Sequence, residues 1–210
     1  MTRVDEILRR VVGPDVLDIG CTGHQVQPGD RSWLHGRLRE KYRVTGLDVS
    51  RPNIEQLRSL GFDDLHVQSA EEFELHRLYD TVVAGEVIEH LSNPGRFLDR
   101  SRTHLRPQGQ IVLSTPYPFS IMYGLYASNH FPRTCENREH TCWVCPSTLR
   151  ELSARARLEI VEWALVNDYD PRIRSRKYRM YWALSNTAGK LLPDRLIKTT
   201  LIAVLKRDAN

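Results

Sequence analysis

Short apolar runs closed by glycine or an acid alternate along this chain with stretches whose apolar residues recur every three or four positions. Val16–Ile19 ends in the turn-forming Gly20-Cys21-Thr22-Gly23 and reads as a buried strand entering a tight loop. An amphipathic stretch around Trp33, Leu34, Leu38 and Tyr42 follows, and Arg43–Asp48 reads as a second strand closed by an acid. Pro52–Leu60 places Ile54, Leu57 and Leu60 at helical spacing, with Ser50 near its start. Leu65–Val67 is a brief third strand. The alternation repeats in a helix from Ala70 to Leu78, a strand Asp80–Gly85, a helix Pro94–His104 and a strand Gln110–Ser114.

Strands alternating with helices predict βαβ units, right-handed crossovers and a doubly wound, mostly parallel α/β sheet. From Pro116 to Pro146 the texture turns aromatic and loses its period, at a length expected of a lid or acceptor-binding insertion. The last third predicts a helix Ser147–Ala156, a strand Leu158–Trp163, a helical stretch Tyr178–Leu192 and a closing strand Leu201–Leu205. That makes a seven-stranded sheet in a single domain over residues 1–210.

Composition narrows the class. The chain has 210 residues, 40% hydrophobic and 27% charged, which is globular usage. No apolar run approaches the ~20 residues of a membrane span, and Met1–Arg10 carries no signal-peptide core. The expected location is the cytoplasm, where the four cysteines stay reduced unless they bind metal. The net charge of +4 is uneven, since Arg172, Arg174, Arg176, Lys177 and Arg179 crowd one segment. Beside Tyr178, Tyr181, Trp182, Leu184, Leu191 and Leu192 this cluster suits phosphate or peripheral membrane contact, a reading that competes with a plain solvated face.

A first strand ending in Asp18-x-Gly20 and a second ending in Asp48 is the layout of a nucleoside cofactor site. Glycine lets the backbone approach a ligand, and the second-strand acid accepts from ribose hydroxyls. The Gly-x-Gly-x-x-Gly spacing that receives a pyrophosphate is missing. With Val67-Gln68-Ser69-Ala70-Glu71, Asp80–Glu86 and Leu105-Arg106-Pro107-Gln108-Gly109 added, residues 14–165 resemble the class I S-adenosylmethionine-dependent methyltransferases.

The resemblance implies a Rossmann-like methyltransferase fold and S-adenosylmethionine as cofactor. It places the methionine end of the cofactor on the loop of Asp18, Gly20, Cys21 and Gly23, the ribose on Asp48 beside Val49, and adenine beside Ser69 and Ala70. Ser69 departs from the usual Asp. The loop pattern Asp-x-Gly-x-Gly-x-Gly is here Asp18-Ile19-Gly20-Cys21-Thr22-Gly23-His24, so that either Thr22 and His24 replace glycines or one residue is missing.

A helical turn over Glu86-Val87-Ile88-Glu89-His90 would bring two carboxylates and an imidazole to one point, as a divalent cation requires. The run resembles the Glu-x-x-Glu-His cluster of ubiquinone-type O-methyltransferases and of small-RNA 2′-O-methyltransferases. The resemblance implies a site of Glu86, Glu89 and His90 completed by His140. Carboxylates with imidazoles suit Mg²⁺ or Mn²⁺. The catalytic set is then His90, Glu89 and His140; in metal-independent relatives Glu86 serves the cofactor pocket and His90 packs or acts as a base. Cys135, Cys142 and Cys145, interleaved with His130 and His140, offer half of a zinc site, but a second spaced pair is missing.

These features predict an O-methyltransferase for a small-molecule hydroxyl such as a sugar, glycolipid, catechol or quinone precursor. The aromatic residues Tyr117, Phe119, Tyr123, Tyr126, Phe131 and Trp143 would cover the acceptor. An RNA-end 2′-O-methyltransferase is the alternative, carried by the basic cluster and His140. A cofactor-binding protein without turnover is a third reading.

Overall fold

The computed structural model describes residues 2–23, 28–130, 137–167, 176, 179–180, 183, 187 and 191–208. Seven strands form one sheet in the order β3-β2-β1-β4-β5-β7-β6. They are β1 (Asp15–Ile19), β2 (Arg43–Asp48), β3 (Leu65–Val67), β4 (Tyr79–Gly85), β5 (Leu105–Pro116), β6 (Leu158–Val166) and β7 (Thr200–Arg207). β1 to β5 run parallel, and β7 lies antiparallel between β5 and β6. Chain order reverses between β1 and β4, which opens a crevice at their carboxyl ends.

Period-two alternation sorts the strands onto two cores. Leu17, Ile19, Val82, Ala84, Ile111, Leu113, Leu201 and Ala203 face one layer with Phe73, Phe97, Leu98 and Leu149. Val16, Val83, Val112, Ile202 and Val204 face the other. The helices are α1 (Arg3–Leu8), α2 (Leu34–Arg39), α3 (Arg51–Ser59), α4 (Pro94–Thr103), α5 (Ile121–His130), α6 (Pro146–Arg155) and α7 (Asp194–Ile197). Pro52 and Pro94 sit in the first turns of α3 and α4, where a missing N–H costs nothing. Among the described residues no helix is long and apolar enough to cross a membrane.

Arg3–Leu8 form α1, started by a reciprocal Thr2–Asp5 capping box, and bury Val4, Ile7 and Leu8. The expected helix from Ala70 to Leu78 is a single turn: the Glu74 amide donates to Gln68 Oε1 at 2.9 Å and the Leu75 amide to His104 Nε2 at 2.9 Å, so side chains take the donors that would continue it. The insertion contains α5, which buries none of its residues and so shows no apolar period in the sequence. Leu191 and Leu192 form a turn rather than a helix end. Of the residues expected to be helical between 178 and 190, Arg179, Met180, Ala183 and Thr187 are helical, and the rest lie outside the described residues.

The amino edge of the sheet is closed by charge. Asp15 accepts from Arg43 Nε at 2.8 Å, Arg106 Nη2 at 2.7 Å and Arg77 Nη2 at 2.9 Å, while Arg106 also meets Asp80 at 2.7 Å. The Arg43 guanidinium, with Arg106 and Arg77 behind it, holds the Asp15 carboxyl well below the usual carboxylate range despite its burial. The opposite edge is left open for ligands.

Candidate functional site

The carboxyl ends of β1, β2, β4 and β5 open on a cleft of 1070 Å³. Asp18, Gly20, Cys21, Gly23, Asp48, Val49, Ser69, Ala70, Glu86, Glu89, His90 and His140 all line it, so one cavity gathers the residues expected to hold cofactor and cation.

The first loop needs glycine at two positions. Gly20 has φ +79°, and a Cβ there would stand 2.7 Å from Val87 Cγ2; Gly23 has φ +57°. Thr22 is not in the left-handed region, so its side chain costs the loop no backbone strain. The loop forms a tight turn, closed by the Gly23 amide on the Gly20 carbonyl at 3.1 Å. The amides of Gly20 and Cys21 donate to the Leu47 carbonyl at 2.8 and 3.2 Å, tying the loop to β2. His24 lies outside the described residues.

Two buried acids face this loop. Asp48 accepts the Thr22 amide and hydroxyl on Oδ2 and the Ser50 amide on Oδ1. Asp18 Oδ2 lies 3.0 Å from Nδ1 of His35, whose ring is fully buried. Burial pushes the Asp18 carboxyl up, and the His35 bond opposes that shift. Trp33 Nε1 donates to the Cys21 carbonyl at 2.8 Å, and burial next to Asp18 raises the Cys21 thiol, which leaves it an inert packing group.

At the end of β4 the sequence reading is corrected. Glu86 takes φ +58°, a strained conformation for a residue with a Cβ, and the helical turn starts only at Ile88. The amide of Glu86 donates to the Ser114 carbonyl at 3.0 Å and its Oε1 accepts from the Ser114 hydroxyl at 3.1 Å. Glu86 therefore leaves the expected four-residue donor set. The group that gathers is Glu89, His90 and His140, with donor atoms all within 4.8 Å of one another.

Glu89 is 1% exposed. Its Oε2 accepts from Thr115 Oγ1 at 3.0 Å, and its buried Oε1 has no hydrogen-bond partner among the described residues. Burial first, and the nearby Glu86 charge second, push its carboxyl up to about 9. His90 and His140 meet edge to face with ring centroids 4.8 Å apart. An unsatisfied buried carboxylate oxygen beside two imidazoles is a donor set that fits a divalent cation.

Among the described residues no comparable thiol group forms. Cys142 Sγ faces the Ile88 carbonyl at 3.8 Å, and Cys145 packs at the start of α6, 3.1 Å from Ser147 Oγ. Cys135 lies outside the described residues. The aromatic residues divide: Tyr117 is buried in the core, Tyr123 and Tyr126 line the cleft, Phe119 is exposed, and Trp143 packs on Tyr123 at 5.0 Å. Phe131 lies outside the described residues. So does most of the basic and aromatic segment, namely Arg172, Arg174, Lys177, Tyr178, Tyr181, Trp182 and Leu184; Arg176 and Arg179 are exposed.

A family profile for the methyltransferase domain matches residues 2–163. The chain belongs to the S-adenosylmethionine-dependent methyltransferases. A ubiquinone biosynthesis O-methyltransferase of Aromatoleum aromaticum is 30% identical over 189 residues, covering 80% of this chain and 74% of that protein. The enzyme of the same description from Rickettsia typhi is 28% identical over 179 residues, 74% of this chain and 69% of its own length. A solved S-adenosylmethionine-dependent methyltransferase from Archaeoglobus fulgidus superposes with a TM-score of 0.68 over 98% of this chain and 91% of its own, at 17% identity, which shows a common fold.

The methyltransferase cleft is also braced by residues the sequence did not single out. His35, Ser114, Thr115 and Thr141 carry no local signal, because their roles arise from contacts across the fold. Arg3, which lines the cleft and reaches Ser114 Oγ at 3.3 Å, could have been found: Thr2-x-x-Asp5 before Ile7 and Leu8 is a helix-start signature.

Proposed function

We propose that this methyltransferase alkylates a hydroxyl of a small molecule, with a divalent cation held by Glu89, His90 and His140. The observation that carries the reading is the convergence of those three side chains on the cleft that the cofactor loop also lines. Bound S-adenosylmethionine would supply an electrophilic methyl, transferred in line to the acceptor oxygen as its bond to sulfur breaks and S-adenosylhomocysteine leaves. A bound Mg²⁺ or Mn²⁺ would supply Lewis acidity toward the acceptor oxygens.

The chain's own groups do the rest. Asp18 and the loop Gly20–Gly23 hold the amino-acid end of the cofactor, Asp48 the ribose, and Ser69 and Ala70 the adenine. Glu86, bound to Ser114, shapes the pocket floor. In the absence of a bound cation, the His90 imidazole is the group that would take the acceptor proton. Tyr123 and Tyr126 give the cleft an aromatic wall, which favours a ring or an apolar body on the acceptor. The O-methyltransferase relatives support a hydroxyl as the methyl acceptor. The free thiols of Cys21, Cys142 and Cys145 support a cytoplasmic setting.

An RNA-end 2′-O-methyltransferase is a second reading, favoured by His140 standing beside Glu89 and His90. Calorimetric titration of S-adenosylmethionine and S-adenosylhomocysteine, with and without Mg²⁺ or Mn²⁺, on wild type and Glu89→Ala tests the proposal. Cofactor binding together with a cation site lost in the variant supports it. Cofactor binding without cation uptake by wild type removes the metal. Turnover of catechols and diols rather than short RNA then separates the two readings, RNA binding being the steeply salt-dependent one.

A further inference from the structure

Asp48 holds more donors than a ribose grip leaves room for. Its Oδ2 accepts the Thr22 amide at 3.1 Å and the Thr22 hydroxyl at 2.8 Å, and its Oδ1 accepts the Ser50 amide at 2.9 Å. A carboxylate offers about four lone-pair positions, so about one remains, whereas a ribose diol brings two hydroxyls. Thr22 is 1% exposed and Asp48 9%, which leaves water little part in the exchange.

The Thr22 hydroxyl is the donor free to leave. The two amides are fixed by the backbone, but Thr22 Oγ1 has a second acceptor in the Gly23 carbonyl at 3.2 Å, and Asn53 Nδ2 approaches it at 3.4 Å. A glycine at position 22 would have no hydroxyl to place on the acid.

We infer that Thr22 sets cofactor affinity: its hydroxyl occupies Asp48 in the free protein and yields to the ribose diol by turning to the Gly23 carbonyl. The inference rests on Asp48 being the ribose ligand. Binding then exchanges a charge-assisted hydrogen bond for a neutral one, which holds affinity below what the acid alone would give. A nucleoside with a single hydroxyl fits the remaining position without displacing Thr22, so wild type discriminates weakly between ribose and 2′-deoxyribose.

The test measures binding of S-adenosylhomocysteine and its 2′-deoxy form to wild type, Thr22→Val, Thr22→Ala, Thr22→Ser and Asp48→Asn, each checked for a cooperative melt. Removing the hydroxyl in the Val and Ala variants tightens S-adenosylhomocysteine by roughly fivefold, leaves the 2′-deoxy form unchanged and so widens the ratio between them. Thr22→Ser behaves as wild type. If the Val and Ala variants bind no tighter while Asp48→Asn loses affinity, Asp48 is the ribose ligand and the role given to Thr22 is wrong. If Asp48→Asn binds both ligands as wild type does, the ribose assignment itself fails and the inference with it.

Discussion

The backbone amide of Thr141 donates to the carbonyl of Glu89 across 2.8 Å, although 52 residues separate the two in sequence. The Thr141 hydroxyl adds bonds to the carbonyls of Glu89 at 3.1 Å and Leu91 at 2.7 Å. This clasp sets His140, the preceding residue, against His90.

Thr141→Val keeps the amide bond and deletes both hydroxyl bonds. Stability falls by about 1 kcal/mol, and cation affinity falls by about tenfold, as for other groups that orient ligands. S-adenosylhomocysteine affinity stays unchanged. Urea unfolding and paired titrations of Mn²⁺ and cofactor check this; equal losses in both ligands would mean a general loosening of the cleft.

Glu89→Gln matches the shape of a side chain that is 1% exposed and can still accept from Thr115 Oγ1. The variant melts close to wild type yet no longer takes up Mn²⁺, and methyl transfer falls with it. Undiminished Mn²⁺ binding in a folded Glu89→Gln protein contradicts Glu89 as a ligand.

Gly20→Ala meets two penalties at once. The φ of +79° costs an L-residue about 1–3 kcal/mol, and the new Cβ lies 2.7 Å from Val87 Cγ2. Adding Val87→Ala relieves only the second. The single variant loses cofactor binding, and the double variant regains part of its stability without reaching wild type, as thermal melting and cofactor titration will show.

Acid sensitivity follows from Asp15. Its folded carboxyl sits well below the ordinary value because Arg43, Arg106 and Arg77 surround it. The unfolded chain therefore takes up a proton first as pH falls, and the stability this group contributes, present above pH ~4, is lost below it. Asp15→Asn lowers stability at neutral pH and flattens its dependence between about pH 2 and 5. A variant whose melting temperature falls as steeply with acid as wild type would assign the sensitivity elsewhere.

The residues that announce themselves locally are those whose pattern is local. Leu17 and Ile19 against Val16, and Val82 and Ala84 against Val83, display the period of strands buried on both faces. Asp18 and Asp48 stand at strand ends followed by turn residues, which was enough to place both on the cleft at the carboxyl edge of the sheet. Glu89 and His90 are adjacent in sequence, so any turn after β4 delivers them together.

What the tertiary structure decided depends on partners distant in sequence. Glu86 stands in the left-handed region with its amide and carboxylate on Ser114 of the neighbouring strand, outside the group formed by Glu89, His90 and His140. Residues 70–78 abandoned a helix because Gln68 and His104 captured its amides. His140 lies beside Glu89 and His90 with the neighbouring Thr141 bonded to Glu89 across 52 residues of sequence. Periodicity records which face of an element is apolar, a property each segment carries alone. The partner that satisfies a given backbone or buried polar group is a property of the packed fold, because hydrogen bonds across the sheet are chosen only once the strands lie side by side.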